Sequence, residues 1–148
     1  SGYQPLGGVY VGAAVREALE SDPNFFLRHG YTYSGHSSVC AAALANLAII
    51  EREGLVERAK HVGARLSKGL GALATDGTID HVRGDGAVWA AGLKPDQNSV
   101  TIRDRMIELG VIARAINTDT VAFCPPLVVT DEELDTMIDT FANAAMGK

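Results

Sequence analysis

Cysteine is scarce in this sequence. Cys40 and Cys124 lie far apart among 148 residues, and neither belongs to a C-x-x-C pair. No redox or metal-binding cysteine couple is therefore present. Cys40 sits in an alanine-rich run and Cys124 between Phe123 and Pro125. Both are expected to be buried as small apolar side chains, in a reducing, cytoplasmic setting. Positive charge is also in deficit: 13 Lys and Arg stand against 18 Asp and Glu, the net charge is −5, and no Lys/Arg run occurs. That excludes the basic footprint of a nucleic-acid binder, although a single phosphate can still be held by backbone N–H groups and hydroxyls. Long apolar runs are missing too. The longest, residues 39–50, is interrupted by Asn46 and falls short of the ~20 residues of a membrane span. No signal-like segment opens the chain.

What is present is an ordinary globular composition, 47% apolar and 21% charged. It is enough to bury a core for one domain, or for a small domain plus a piece of another. Residues 8–12 alternate in strand fashion between glycines, and residues 13–20 follow as a short helix with Val15 and Leu19 on one face. From 38 to 74 apolar residues recur at helical spacing, and Gly54 in the middle predicts a break or kink. Arg58, Lys60, Arg65 and Lys68 are expected to face outward from the second half. Residues 79–82 and 87–93 read as strands about a Gly84-Asp85-Gly86 turn, and 99–109 as a helix with Thr101 and Asp104 in capping-box spacing and Gly110 just past its end. Strands are predicted at 111–115 and 120–124 about Asn117-Thr118-Asp119. Thr130 to Glu133 opens a final helix whose apolar face is Leu134, Met137, Ile138, Phe141 and Ala145. Residues 75–148 thus read as a small α+β unit with helices on one face of an antiparallel sheet, whereas residues 1–36 are too few to bury their own surface.

Four stretches in this order resemble the class III, pyridoxal-phosphate-dependent aminotransferases of fold type I. They are Ser1-Gly2-Tyr3-Gln4-Pro5-Leu6-Gly7-Gly8-Val9; His29-Gly30-Tyr31-Thr32-Tyr33-Ser34-Gly35-His36 before the alanine-rich helix; His81-Val82-Arg83-Gly84-Asp85-Gly86; and Gly110-Val111-Ile112-Ala113-Arg114 followed by Cys124-Pro125-Pro126-Leu127-Val128-Val129-Thr130. The resemblance implies an α/β fold class: the C-terminal portion of such a transferase. Residues 1–36 would be a remnant of the large cofactor-binding domain, 37–74 a long connecting helix, and 75–148 the small C-terminal α+β domain. It implies amino transfer from an amine or ω-amino acid to a 2-oxo acid such as pyruvate, pyridoxal 5′-phosphate as cofactor, and a homodimer that shares its active site between subunits. The Schiff-base lysine is expected upstream of Ser1, so no catalytic residue is expected in this chain and the fragment alone should be inactive. Lys60, Lys68 and Lys94 lie on polar faces or in loops and Lys148 is terminal.

Residue by residue, the resemblance makes Thr32 a donor to the cofactor phosphate, with Gly30 beside it. Tyr31 becomes a wall of the substrate pocket, and Arg114 the clamp for the substrate carboxylate, a task suited to a bidentate guanidinium. Read without it, Thr32 caps a local turn, Tyr31 packs at an interface and Arg114 is a surface side chain. Two departures stand out. Ser37 replaces the family's usual proline, though serine is a good N-cap, and the Asn117-Thr118-Asp119 stretch differs in length from the common pattern. His29 and His36 have no third ligand nearby, so no metal site is expected. A class III aminomutase or racemase, and a non-catalytic dimerising α+β domain, are the alternative readings.

Overall fold

Gly54 divides the chain. The structure, a computed structural model, describes residues 2–147, so Ser1 of the opening loop and the terminal Lys148 lie outside the described residues. The described residues fall into two units that meet between Glu53 and Gly54. The segment 37–74, read above as one connecting helix, is thereby split. Its two parts are α2 (Ser37–Arg52) and α3 (Leu55–Thr75), with Gly54 at φ +61° between them. A left-handed residue interrupts the i→i−4 ladder, and glycine adopts it without steric cost.

The first unit holds α1 (Ala13–Glu20), α2 and the loops around them. None of its described residues is buried. The strand expected at 8–12 does not form. Val9 and Tyr10 are 90% and 103% exposed, because an extended segment needs a neighbour to pair with and none is supplied here. His36, not Ser37, occupies the N-cap of α2, and Ser37 is its first helical residue. The His36 imidazole bonds the Ser38 hydroxyl (Nδ1···Oγ 3.0 Å) rather than a backbone group.

The second unit has a four-stranded antiparallel sheet in the order β1-β2-β4-β3: β1 (His81–Asp85), β2 (Val88–Gly92), β3 (Arg114–Ile116) and β4 (Thr120–Phe123). Gly86, at φ +49°, is the first of the two residues that close the β1–β2 hairpin, as a type II′ turn requires. Cross-strand register sorts the side chains. Val82, Ala91, Val121 and Ala115 form one row, with Gly84, Trp89 and Phe123 beside it on the same face. This face packs on α3, α4 (Ser99–Glu108) and α5 (Asp131–Ala145) around Leu70, Ile79, Met106 and Phe141. Each fully buried Leu, Val or Phe contributes about 1.5–3 kcal/mol. The edge-to-face Phe123–Phe141 pair, with centroids 5.1 Å apart, locks α5 to the central strand.

Close approach of α3 depends on Gly63. A Cβ there would lie 1.9 Å from the Gly86 carbonyl oxygen. Of the four basic residues of α3 expected to face outward, Lys60 and Lys68 are exposed, while Arg58 and Arg65 are half-buried against α5. Arg58 Nη1 and His61 Nε2 bond the Asp131 carboxylate at 3.0 Å, Arg58 Nη2 donates to the Val129 carbonyl, and Arg65 grips Asp135 with two nitrogens (2.6 and 3.0 Å). The helix 99–108 is capped by Asn98, whose side chain accepts from the N–H groups of Val100 and Thr101, so the Thr101/Asp104 spacing is not the capping box expected. The Thr130/Glu133 capping box of α5 is present in both directions. Cys40 is half-buried and Cys124 exposed, the latter because β4 ends at Phe123 and the chain then runs out towards Pro125.

Candidate functional site

The outward face of the sheet carries the chemistry of the second unit. Register places Arg83, Ala90, Ala122 and Arg114 in one row across all four strands, with His81, Gly92, Thr120 and Ile116 in the next. The two arginines end the row on the two edge strands, and only small side chains lie between them.

Their situations differ. The Arg83 guanidinium is committed. Nη1 donates to His81 Nε2 (2.9 Å) and Nη2 to Thr120 Oγ1 (3.3 Å). A guanidinium only donates, so Nε2 accepts, and the imidazole proton sits on Nδ1, which donates to Asp80 (2.8 Å). Thr120 in turn donates to Asp119 Oδ1 at 2.9 Å. Gly92 makes room for this array, since a Cβ there would lie 2.2 Å from the His81 ring. Arg114 is exposed and, among the described residues, its guanidinium has no hydrogen bond or ion pair. A free guanidinium between Ile116 on its own strand and Ala122 across from it can take a carboxylate in a bidentate fork without competition from a resident acid.

Two devices fix the strand that bears Arg114. At its start, Gly110 (φ +90°) ends α4: its N–H bonds the Ile107 carbonyl at 3.0 Å and that of Val111 the Met106 carbonyl at 2.9 Å, a Schellman motif. At its end, the 117–119 turn is bonded to the body of the unit through Ser99 and Leu93.

In the first unit, Tyr31 to Ser34 form a tight turn closed twice. The Ser34 N–H donates to the Tyr31 carbonyl and the Tyr31 N–H to Ser34 Oγ, both at 2.9 Å. Ser34 therefore does the local bonding that the sequence alone could have given to Thr32. The Thr32 hydroxyl is exposed and, among the described residues, has no hydrogen-bond partner. Nothing lies within 4 Å of a Cβ built on Gly30, and Tyr31 is exposed with its ring edge against His29 (5.4 Å). Gly30, Tyr31 and Thr32 thus sit on one loop of the first unit, and Arg114 on a strand of the second.

Other features bring no chemistry of their own. The cleft lined by Gly110, Ile112, Cys124, Pro126 and Met137 has Glu133 and Thr136 as polar residues, but Glu133 is used in the α5 cap and the Thr136 hydroxyl bonds the Glu132 carbonyl. Asp131 is held below the ordinary carboxylate range, first by its hydrogen bond from His61 and then by Arg58 and Arg65. Asp135 raises the pKa of Arg65. These shifts mark the α3–α5 contact, not a reactive group. Among the described residues no cluster of His, Cys, Asp and Glu could hold a metal ion, and no helix is long and apolar enough to cross a membrane.

Known proteins similar to this chain in sequence and fold are consistent in kind. The family model for class-III aminotransferases matches residues 1–145. The diaminobutyrate–2-oxoglutarate transaminase of Halomonas elongata is 42% identical over an alignment that covers 93% of this chain and 33% of that protein. The putrescine–pyruvate aminotransferase of Pseudomonas aeruginosa is 33% identical, covering 93% and 32%. A crystal structure of an amine transaminase from an uncultivated Pseudomonas species, in its PLP-bound form, matches with a TM-score of 0.90 at 34% identity, over 99% of this chain and 36% of that one. The chain spans about a third of the length of the curated relatives it matches.

Proposed function

The chain belongs to the class-III aminotransferases and carries part of their fold type I architecture; from that premise we propose that it is the C-terminal part of an enzyme that moves an amino group from an amine or ω-amino acid to a 2-oxo acid such as pyruvate. The observation that carries this reading is the free guanidinium of Arg114 on the outward sheet face. It serves as the clamp for the carboxylate of the 2-oxo acid. Relatives named for diaminobutyrate with 2-oxoglutarate, and for putrescine with pyruvate, support a carboxylate-bearing acceptor.

Pyridoxal 5′-phosphate fits one end of what this chain offers. The exposed hydroxyl of Thr32, on a turn already closed by Ser34, is free to donate to a phosphate oxygen, and Gly30 leaves room for it. The amine end finds no match: Lys60 is ion-paired to Glu57 on the surface, and Lys68 and Lys94 are not enclosed. The cofactor, when bound, supplies an electron sink at the carbon that carries the amine. The lysine that holds it lies in a segment upstream of Ser1, and the 148 residues alone are inactive. Thr32 and Tyr31 act across a homodimer interface: Thr32 anchors the phosphate in the partner subunit's site, and Tyr31 walls the substrate pocket there. Arg114 binds and orients the acceptor, so that the reacting carbon is held still while the proton moves.

The test is an assay of the full-length protein with pyridoxal phosphate, an ω-amine donor and pyruvate. Consumption of pyruvate with formation of alanine is expected, and none from residues 1–148 by themselves. Isomerisation of the amine without an acceptor would overturn the reading in favour of an aminomutase or racemase.

A further inference from the structure

The three residues of the β3–β4 turn are held with unusual completeness. The Asn117 carbonyl accepts from Ser99 Oγ (2.8 Å), the Thr118 carbonyl from the Ser99 N–H (3.0 Å), and the Asp119 carbonyl from the Leu93 N–H (2.8 Å). An exposed hairpin turn ordinarily leaves its carbonyls to water and moves freely. Here every one of them is tied down, and two of the three bonds come from a single residue.

Ser99 is built for that task. It is fully buried, although it is polar and stands at the first position of α4. The first N–H groups of a helix have no partner inside it. Asn98 satisfies those of Val100 and Thr101, which leaves the Ser99 N–H and hydroxyl to point at the turn. Asn117 takes a positive φ of 51°, a conformation that asparagine tolerates better than most residues. With it, the Asn117 carbonyl meets the serine hydroxyl.

The turn follows a strand of three residues that pairs on one side only. So short an edge strand has little stiffness of its own; it is held by its pairing with β4 on one side and by what ties down its two ends. One end is the Gly110 motif and the other is Ser99. Arg114 lies between them.

We infer that Ser99 is a positioning residue for the carboxylate clamp: it fixes the height of β3, and so where the Arg114 guanidinium stands, without touching substrate. This rests on the role of Arg114 given above. The chemistry concerned is a substrate carboxylate, and a substrate lacking one should be indifferent to the latch.

The experiment uses the full-length holoenzyme and compares two half-reactions, one with pyruvate and one with an amine that has no carboxylate. Ser99→Ala should raise KM for pyruvate by about tenfold, the scale at which small misplacements act, and leave the amine half-reaction within twofold. Ser99→Cys, close in volume but a weak donor, should fall between and keeps the test open if the alanine variant folds poorly. In an Arg114→Met background Ser99→Ala should add no further loss with pyruvate. Thr130→Ala, which removes a helix cap elsewhere, should lower Tm without changing the ratio. Equal losses in both half-reactions, or an additive loss on top of Arg114→Met, overturn the latch while leaving the clamp intact. If Arg114→Met itself leaves the pyruvate reaction unchanged, the clamp reading fails and the latch with it.

Discussion

The other arginines that face this unit's body have partners: Arg83 donates to the His81 imidazole and the Thr120 hydroxyl, and Arg58 and Arg65 of α3 donate to carboxylates of α5. The Arg114 guanidinium has none among the described residues, so its binding energy is available to a ligand. A charge-assisted fork to a carboxylate is worth about 1.5–3 kcal/mol. Arg114→Met in the full enzyme should therefore raise KM for a 2-oxo acid by roughly 10- to 100-fold and spare amines without a carboxylate. An equal effect on both substrate classes would assign Arg114 to folding instead. On the role proposed for Thr32, Thr32→Ala takes one donor from the cofactor phosphate, and the dissociation constant for pyridoxal phosphate should rise by roughly tenfold or more on the same scale; unchanged retention of the cofactor on dialysis would remove Thr32 from the site. Both residues could be proposed from the sequence because a motif surrounds each. Ser99 could not. Its partner is 18 residues away across a helix, and a lone serine before an amphipathic run gives no sign of it. The Arg83–Thr120 bond spans 37 residues and was equally hidden.

At the scale of elements, what could be read was local. Gly54, Gly110 and the Thr130/Glu133 box each act within one turn of the chain, and each does what its residue type dictates. The strand at 8–12 failed because alternation specifies a strand only where a second strand pairs with it. The α3–α5 staple was missed because it joins residues about 70 positions apart. That staple has a pH signature. Asp131 is held below the ordinary carboxylate value of 3.8 by His61 and Arg58. A depressed carboxylate contributes stability above its unfolded-state pKa, and the contribution is lost as pH falls through the folded-state value. Asp131→Asn should therefore lower Tm at neutral pH, and the gap to wild type should close below pH 3.8, which thermal melts at several pH values would reveal. A gap that widened in acid would contradict the assignment. Gly63→Ala tests the packing of the same helix. Its Cβ would meet the backbone of Gly86, which has no flexible atom to give way, and destabilisation of about 1–3 kcal/mol is expected in denaturant melts.

Over the whole chain, the two units differ in what holds them together. From Gly54 onward, helices and sheet bury two apolar clusters, one around Leu70, Phe123 and Phe141 and one around Val62, Leu66 and Leu134. The part up to Glu53 has no fully buried residue among those described, and Tyr3, Phe26, Tyr31, Leu44 and Leu47 are among its exposed large apolar side chains. Helices of 8 and 16 residues without a buried face are marginal in water. The loop that bears Thr32 therefore either stays loosely held in this unit or gains its order from the upstream segment and partner subunit proposed above. Hydrogen exchange separates the cases. In residues 1–148 alone, amides of α2 should exchange within seconds to minutes, while those of α3 and β4, which open only when the core does, should be protected by several orders of magnitude. In the full-length protein, on the dimer proposed above, the α2 amides should join the protected set. Protection of α2 in the isolated chain at the level of α3 would mean that the first unit carries its own stability, and the Thr32 loop would then be formed before any partner arrives.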